Sequence, residues 1–175
     1  MDAKYFQQAY KPQVAEQEDR LEEAVRYFQR AYALQMRGQL EEAIDLYQKS
    51  IETYPTAEAH TFLGWTYSFM NRIDDAIEEC YKAIEVDPDF GNPYNDIGAY
   101  LIEKGDWRGA IPWLEKAMVA KRYECYFYPY FNLGRIWEAQ GKYLEAMRCY
   151  QRALEKNPKY NVARRAIRRL QCILN

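Results

Sequence analysis

Histidine is nearly absent from this chain: His60 is the single copy among 175 residues. Cysteine is scarce, and Cys80, Cys125, Cys149 and Cys172 form no CxxC pair. A zinc site draws on clustered Cys and His, and a nucleophilic serine or cysteine needs a neighbouring base, so both chemistries lack their usual donors. The eight glycines stand singly, which leaves no glycine-rich phosphate loop. No apolar run approaches the ~18 residues of a membrane span. The opening Met1-Asp2-Ala3-Lys4-Tyr5 lacks a charged stretch followed by an apolar one, so no secretory signal is visible. Charge of one sign is also missing: 24 Lys plus Arg stand against 26 Asp plus Glu, a net −2, which argues against non-specific binding to nucleic acid or membrane. These absences predict a non-enzymatic chain with no cofactor, metal or membrane partner.

What is present is a core and an excess of rings. Hydrophobic residues make up 49% of the chain and charged ones 29%, enough to exclude wholesale disorder. There are 17 Tyr, 7 Phe and 4 Trp. Three of the four cysteines fall inside helical patterns as small apolar residues, so we expect reduced, structural thiols and a cytoplasmic protein. His60 falls at a packing position of a helix. Asp74-Asp75 and Glu78-Glu79 resemble paired catalytic acids, but read more simply as acidic first turns of a helix, where the macrodipole favours negative charge.

Self-comparison supplies the architecture. Short motifs with a central alanine recur at Ala43, Ala76, Ala110 and Ala146, spaced by 33, 34 and 36 residues. Twelve residues before them stand Ala31, Gly64, Gly98 and Gly134. Five residues before stand Gly38, Asn71, Gly105 and Gly141, types able to take the left-handed conformation that ends a helix. Twelve residues after come Pro55, Pro88 and Pro158, with Arg122 in the third copy. This resembles the tetratricopeptide repeat family, whose pattern is W-x2-L-G-x2-Y…A-x3-F…P. The fourth copy matches best, with Tyr130, Leu133, Gly134, Trp137, Ala146, Tyr150 and Pro158; the first departs at Arg30 and Ala31, where Leu and Gly are expected.

The resemblance implies an all-α fold, a right-handed superhelical solenoid of helix-turn-helix repeats. Residues 1–23 would be an N-terminal segment and helix extension, residues 24–160 four repeats (24–56, 57–90, 91–126 and 127–160), and residues 161–175 a capping helix. Physical reasoning points the same way. Each copy reads as two amphipathic helices, small residues permit close approach, and neither pair can bury its apolar face alone. In the capping segment, at about 100° per residue, Ala163, Ala166, Ile167, Leu170, Ile173 and Leu174 are expected to share one face while Arg164, Arg165, Arg168 and Arg169 occupy the other. We expect about nine helices, the first long one beginning near Glu16–Asp19 behind Pro12, and a short extra one at residues 3–10. Pro112 predicts a kink or a late helix start, and residues 121–128 a longer aromatic loop.

As the family is one of binding scaffolds, the resemblance implies that the first helices line a groove for a partner's peptide or helix. Its groove-facing positions are then Phe28, Tyr32, Thr61, Trp65, Phe69, Asn92, Asn95, Ile102, Tyr128, Phe131 and Arg135. The alternatives are a secretion-type chaperone shielding a hydrophobic segment and a self-associating scaffold. RNA binding through the cap arginines is the weakest reading, because amphipathic helices ordinarily expose charge. Charge is unevenly spread: residues 1–126 hold 23 acids against 14 bases, residues 127–175 hold 3 against 10. Such a dipole favours head-to-tail approach of two copies in a weak homo-oligomer. Tyr5, Phe6 and Tyr10 form an aromatic segment expected to dock on an aromatic surface or to fray.

Overall fold

The computed structural model describes the backbone of residues 3–174 and the side chains of residues 15–174, so the expected docking of Tyr5, Phe6 and Tyr10 lies outside the described side chains. The fold is all-α. In chain order the helices are α1 (Ala3–Gln35), α2 (Leu40–Thr53), α3 (Ala57–Phe69), α4 (Ile73–Val86), α5 (Asn92–Glu103), α6 (Trp107–Val119), α7 (Phe127–Ala139), α8 (Tyr143–Lys156) and α9 (Asn161–Leu174). They divide into two compact units, Met1–Val86 and Asp87–Asn175.

The turns explain the pairing. Gly38, Gly105 and Gly141 take φ of 76°, 81° and 72°, and Asn71 takes 59°. These left-handed residues stop the first helix of each hairpin and satisfy its last carbonyls, as the amide of Gln39 does on Leu34 at 3.0 Å. The second helix then starts and folds back. At Asp106 the carboxylate accepts from the Gly109 amide at 2.9 Å and caps α6.

In the first unit α1 packs on α2, α3 on α4, and α2 on α3. Ala31, Ala43, Ala59, Leu63, Ala76, Cys80 and Ala83 are buried between them. Ser50 donates to the Ala24 carbonyl at 2.8 Å and Tyr47 to Gln35 at 2.6 Å, so the polar atoms closed in by the small residues stay satisfied. In the second unit α5 packs on α6, α7 on α8, and α9 on α8. The close approach is direct at Gly134, where an added Cβ would meet Tyr150 Cε1 at 2.4 Å, and at Gly98, where it would meet Leu114 Cδ2 at 2.5 Å. α9 closes its hairpin with Ala163, Ala166 and Leu170 buried beside Tyr150 and Ala153.

Two local expectations are corrected. α1 does not begin at residues 16–19 after a separate short helix, but runs unbroken from Ala3 through Pro12. Proline there forgoes one backbone hydrogen bond yet keeps a helical φ. α6 begins at Trp107, with Pro112 inside it, so there is no late start; the proline only withholds a donor from the Arg108 carbonyl. The connection before α7 is the longer, aromatic one expected, over residues 120–126, and it is tied down: Phe90 and Arg122 form a β-bridge, Arg122 pairs with Asp87 at 2.6 Å, and Tyr126 donates to the Ala120 carbonyl at 2.7 Å.

Candidate functional site

The first unit carries a surface of rings. Phe28 and Tyr32 lie four residues apart on α1, and Phe62, Trp65 and Phe69 recur at three and four residues on α3, so each set shares a helix face. Phe62 is the hub, with ring centroids 5.1 Å from Phe28, 5.6 Å from Tyr32 and 4.8 Å from Trp65. Phe28 also meets Tyr47 edge-on at 5.6 Å, which anchors the cluster in the α1–α2 hairpin. Outward the rings are open: Tyr32 is 43% and Phe69 66% exposed, while Phe28 and Trp65 are half-buried. Thr61 is a correction. It is fully buried, and its hydroxyl donates to the Ala57 carbonyl at 2.7 Å, so it offers nothing to a groove.

The second unit has a cleft of about 640 Å³, lined on α7 by Phe131, Arg135 and Glu138 and on α9 by Val162, Arg165 and Arg169. Buried amides hold its first arginine. Asn132 donates to Asn95 at 3.1 Å and accepts from Arg135 at 3.2 Å, while Asn95 donates to Asp96 at 3.2 Å. Across the cleft Glu138 accepts from Tyr150 at 2.7 Å and from Arg169 at 2.6 Å. Burial pushes the Tyr150 phenol above its usual range and the bond to Glu138 adds to that, so the hydroxyl stays a donor. Three guanidinium groups against one carboxylate make the cleft cationic. Asn95 and Ile102 are corrections too: both are buried, Asn95 as a strut and Ile102 as the cleft floor, rather than presented as surface. Asn92 is half-buried. Tyr128 is 41% exposed and packs, with Phe127, Phe131 and Tyr160, in a ring cluster at centroid distances of 4.2 to 5.7 Å.

The family model described as a tetratricopeptide repeat matches residues 27–57 and 127–160, and a second model of the same description matches residues 57–90. Together they span more than half of the chain. It belongs to the tetratricopeptide repeat family. Solved structures share the repeat fold. That of Pseudomonas aeruginosa PilF superposes with a TM-score of 0.80 at 24% identity, covering 87% of this chain and 69% of PilF. MamA gives 0.67 at 23%, covering 82% and 78%. YrrB, titled a TPR protein with an unusual peptide-binding site, gives 0.63 at 22%, covering 86% and 77%. At these identities the likeness concerns the fold alone. No curated protein matches the chain.

Within this tetratricopeptide repeat protein, the expected groove left out Phe62 and Asn132, and Arg165 and Arg169 were expected only on a solvent face of the cap or in a weak RNA contact, not in a cleft wall. A signal for the first two was present: Phe62, Asp96 and Asn132 occupy the same repeat position, 34 and 36 residues apart. Glu79 was read as a first-turn acid, yet it is buried and accepts from His60 Nδ1 at 2.6 Å and from Lys82 at 2.8 Å. Burial by itself would raise its pKa; the bonds from His60 and Lys82 outweigh that and hold the carboxyl below the usual glutamate value. With its imidazole buried and bonded to Glu79, His60 serves packing. Cys80 is buried and Cys125 and Cys149 half-buried, but Cys172 is exposed, so the structural reading does not extend to it. Among the described residues no group of three or more His, Cys, Asp or Glu is placed to hold a metal ion, and no helix is long and apolar enough to cross a membrane.

Proposed function

We propose that this protein is an interaction scaffold that holds a peptide or helical segment of a partner protein on the first-helix aromatic surface of its first unit. The observation that carries the reading is the exposure of Phe69 and Tyr32 beside the packed rings of Phe62 and Trp65. Rings that are immobilised from below and open above lose little freedom on binding and bury a large area, which is what interface anchors do. The family's use as protein-interaction scaffolds supports it, as does the peptide-binding site named for YrrB, a protein of the same fold. The favoured ligand is a segment with spaced apolar or aromatic side chains that fit between Tyr32 and Phe69.

Selection from a displayed random-peptide library tests it. The wild-type protein is expected to enrich a shared apolar motif, and the doubly substituted Trp65→Ala, Phe69→Ala protein to lose about 2 kcal/mol or more of affinity for it with helix content intact. No enrichment, or a motif indifferent to the two substitutions, contradicts the reading. If the double variant unfolds, these rings belong to the core and the reading fails as well.

A further inference from the structure

The two units differ in charge, and one exposed helix surface in each matches the other. Residues 1–86 hold 16 acids against 9 bases, and residues 87–175 hold 10 against 15. On α1 every residue from Ala15 to Glu23 is exposed. That stretch carries Glu16, Glu18, Asp19, Glu22 and Glu23, and its one cation is withdrawn: the Arg20 guanidinium donates twice to the Thr53 carbonyl, at 2.7 and 3.0 Å. Glu18, Leu21, Glu22 and Val25 follow the i, i+3, i+4, i+7 spacing of one helix face, with Leu21 39% and Val25 41% exposed. An acidic stripe with an apolar seam is therefore open to solvent.

α9 presents the complement. Val162, Arg165, Arg169 and Ile173 recur at three and four residues along one face, with Val162 40% and Ile173 54% exposed. Arg165 has no acidic partner among the described residues, and Arg169 is shared with Glu138. Val162, Arg165 and Arg169 also form one wall of the cleft that contains Arg135 and Phe131. The spacing of Glu18 to Glu22 equals that of Arg165 to Arg169, one turn of helix.

We propose that the acidic face of α1 in one copy of this chain docks on the arginine face of α9 and the adjoining cleft of a second copy. Carboxylates at Glu18 and Glu22 meet the guanidinium groups of Arg165 and Arg169, while Leu21 and Val25 cover Val162 and Ile173. The contact is heterologous, one face on α1 against a different one on α9, so association grows with concentration. Two turns of helix make a small, weak interface whose strength depends on salt. It uses none of the rings that carry the proposed partner site, so either reading can fail without the other.

Sedimentation velocity over a concentration series tests this with charge reversals on exposed residues. At about 0.1 M salt, where the screening length is about 10 Å, the wild-type protein should sediment faster as concentration rises, and at about 1 M salt, where it is about 3 Å, it should return to monomer. Glu18→Lys with Glu22→Lys, and separately Arg165→Glu with Arg169→Glu, should each weaken association about tenfold or more with circular dichroism unchanged. Mixing the two variants should restore it, because each then offers the charge the other needs. A monomer at every concentration, or association that survives both reversals, or a mixture no more associated than its parts, overturns the proposal.

Discussion

The two units share one hairpin design and place their polar chemistry in opposite locations. In the first, the buried Glu79 carboxylate of α4 takes hydrogen bonds from His60 of α3 and from the half-exposed Lys82 of α4, and the outward first-helix face is rings. In the second, a chain of amides runs outward from Asn95 through Asn132 to Arg135 and ends in a cleft with two further arginines. The repeat backbone tolerates either arrangement, because its hairpins are held by alanines, glycines and left-handed turns rather than by the residues on the first-helix face. The rings of the first unit suit an apolar segment, the arginines of the second an acidic one.

The largest effect expected from breaking this contrast is at the buried His60–Glu79 pair. His60→Ala leaves Glu79 7% exposed with one partner fewer, and loss of one partner from a buried ionic group costs about 3–5 kcal/mol. Denaturant unfolding followed by circular dichroism should show that loss. The pH dependence has a definite sign. Glu79 has a folded-state pKa below its unfolded value near about 4.3, so its contribution is fully present above that value and disappears as pH falls through the lowered one. Glu79→Gln should flatten this acid limb, and an unchanged acid limb would mean that the pair is not coupled to stability.

A smaller effect is expected in the second unit. Asn132→Ala removes the acceptor of Arg135 and the donor to Asn95, both neutral or singly charged bonds, for a loss of about 1–3 kcal/mol in stability. The cleft should loosen with it, so that charge-dependent association weakens although no arginine has changed. Equal stability and equal association would reduce the amide chain to filler and erase the difference between the units.

Much of this was legible in the sequence, for physical reasons. The recurrence of Ala43, Ala76, Ala110 and Ala146, and of the turn residues Gly38, Asn71, Gly105 and Gly141, reflects helix approach and left-handed backbone, which few residue types satisfy. The exposed rings Tyr32 and Phe69 were legible because they exceed what the repeat pattern needs. Thr61, Asn95 and Ile102 were not, since whether a first-helix position is open or covered depends on its neighbours in space, and a repeat number does not carry that. The roles of Glu79 and Arg169 rest on partners 19 and 31 residues away, His60 and Glu138, and only folding brings them together.

The central claim is that the first unit's rings are a surface held ready for a partner. Hydroxyl-radical footprinting of the free protein and of the protein loaded with its selected peptide tests it most directly. The account predicts that Tyr32, Trp65 and Phe69 are oxidised in the free protein and protected together on loading, with Tyr47 unreactive in both because it is fully buried. Trp65 and Phe69 unreactive without peptide, or equally reactive with and without it, would contradict the claim.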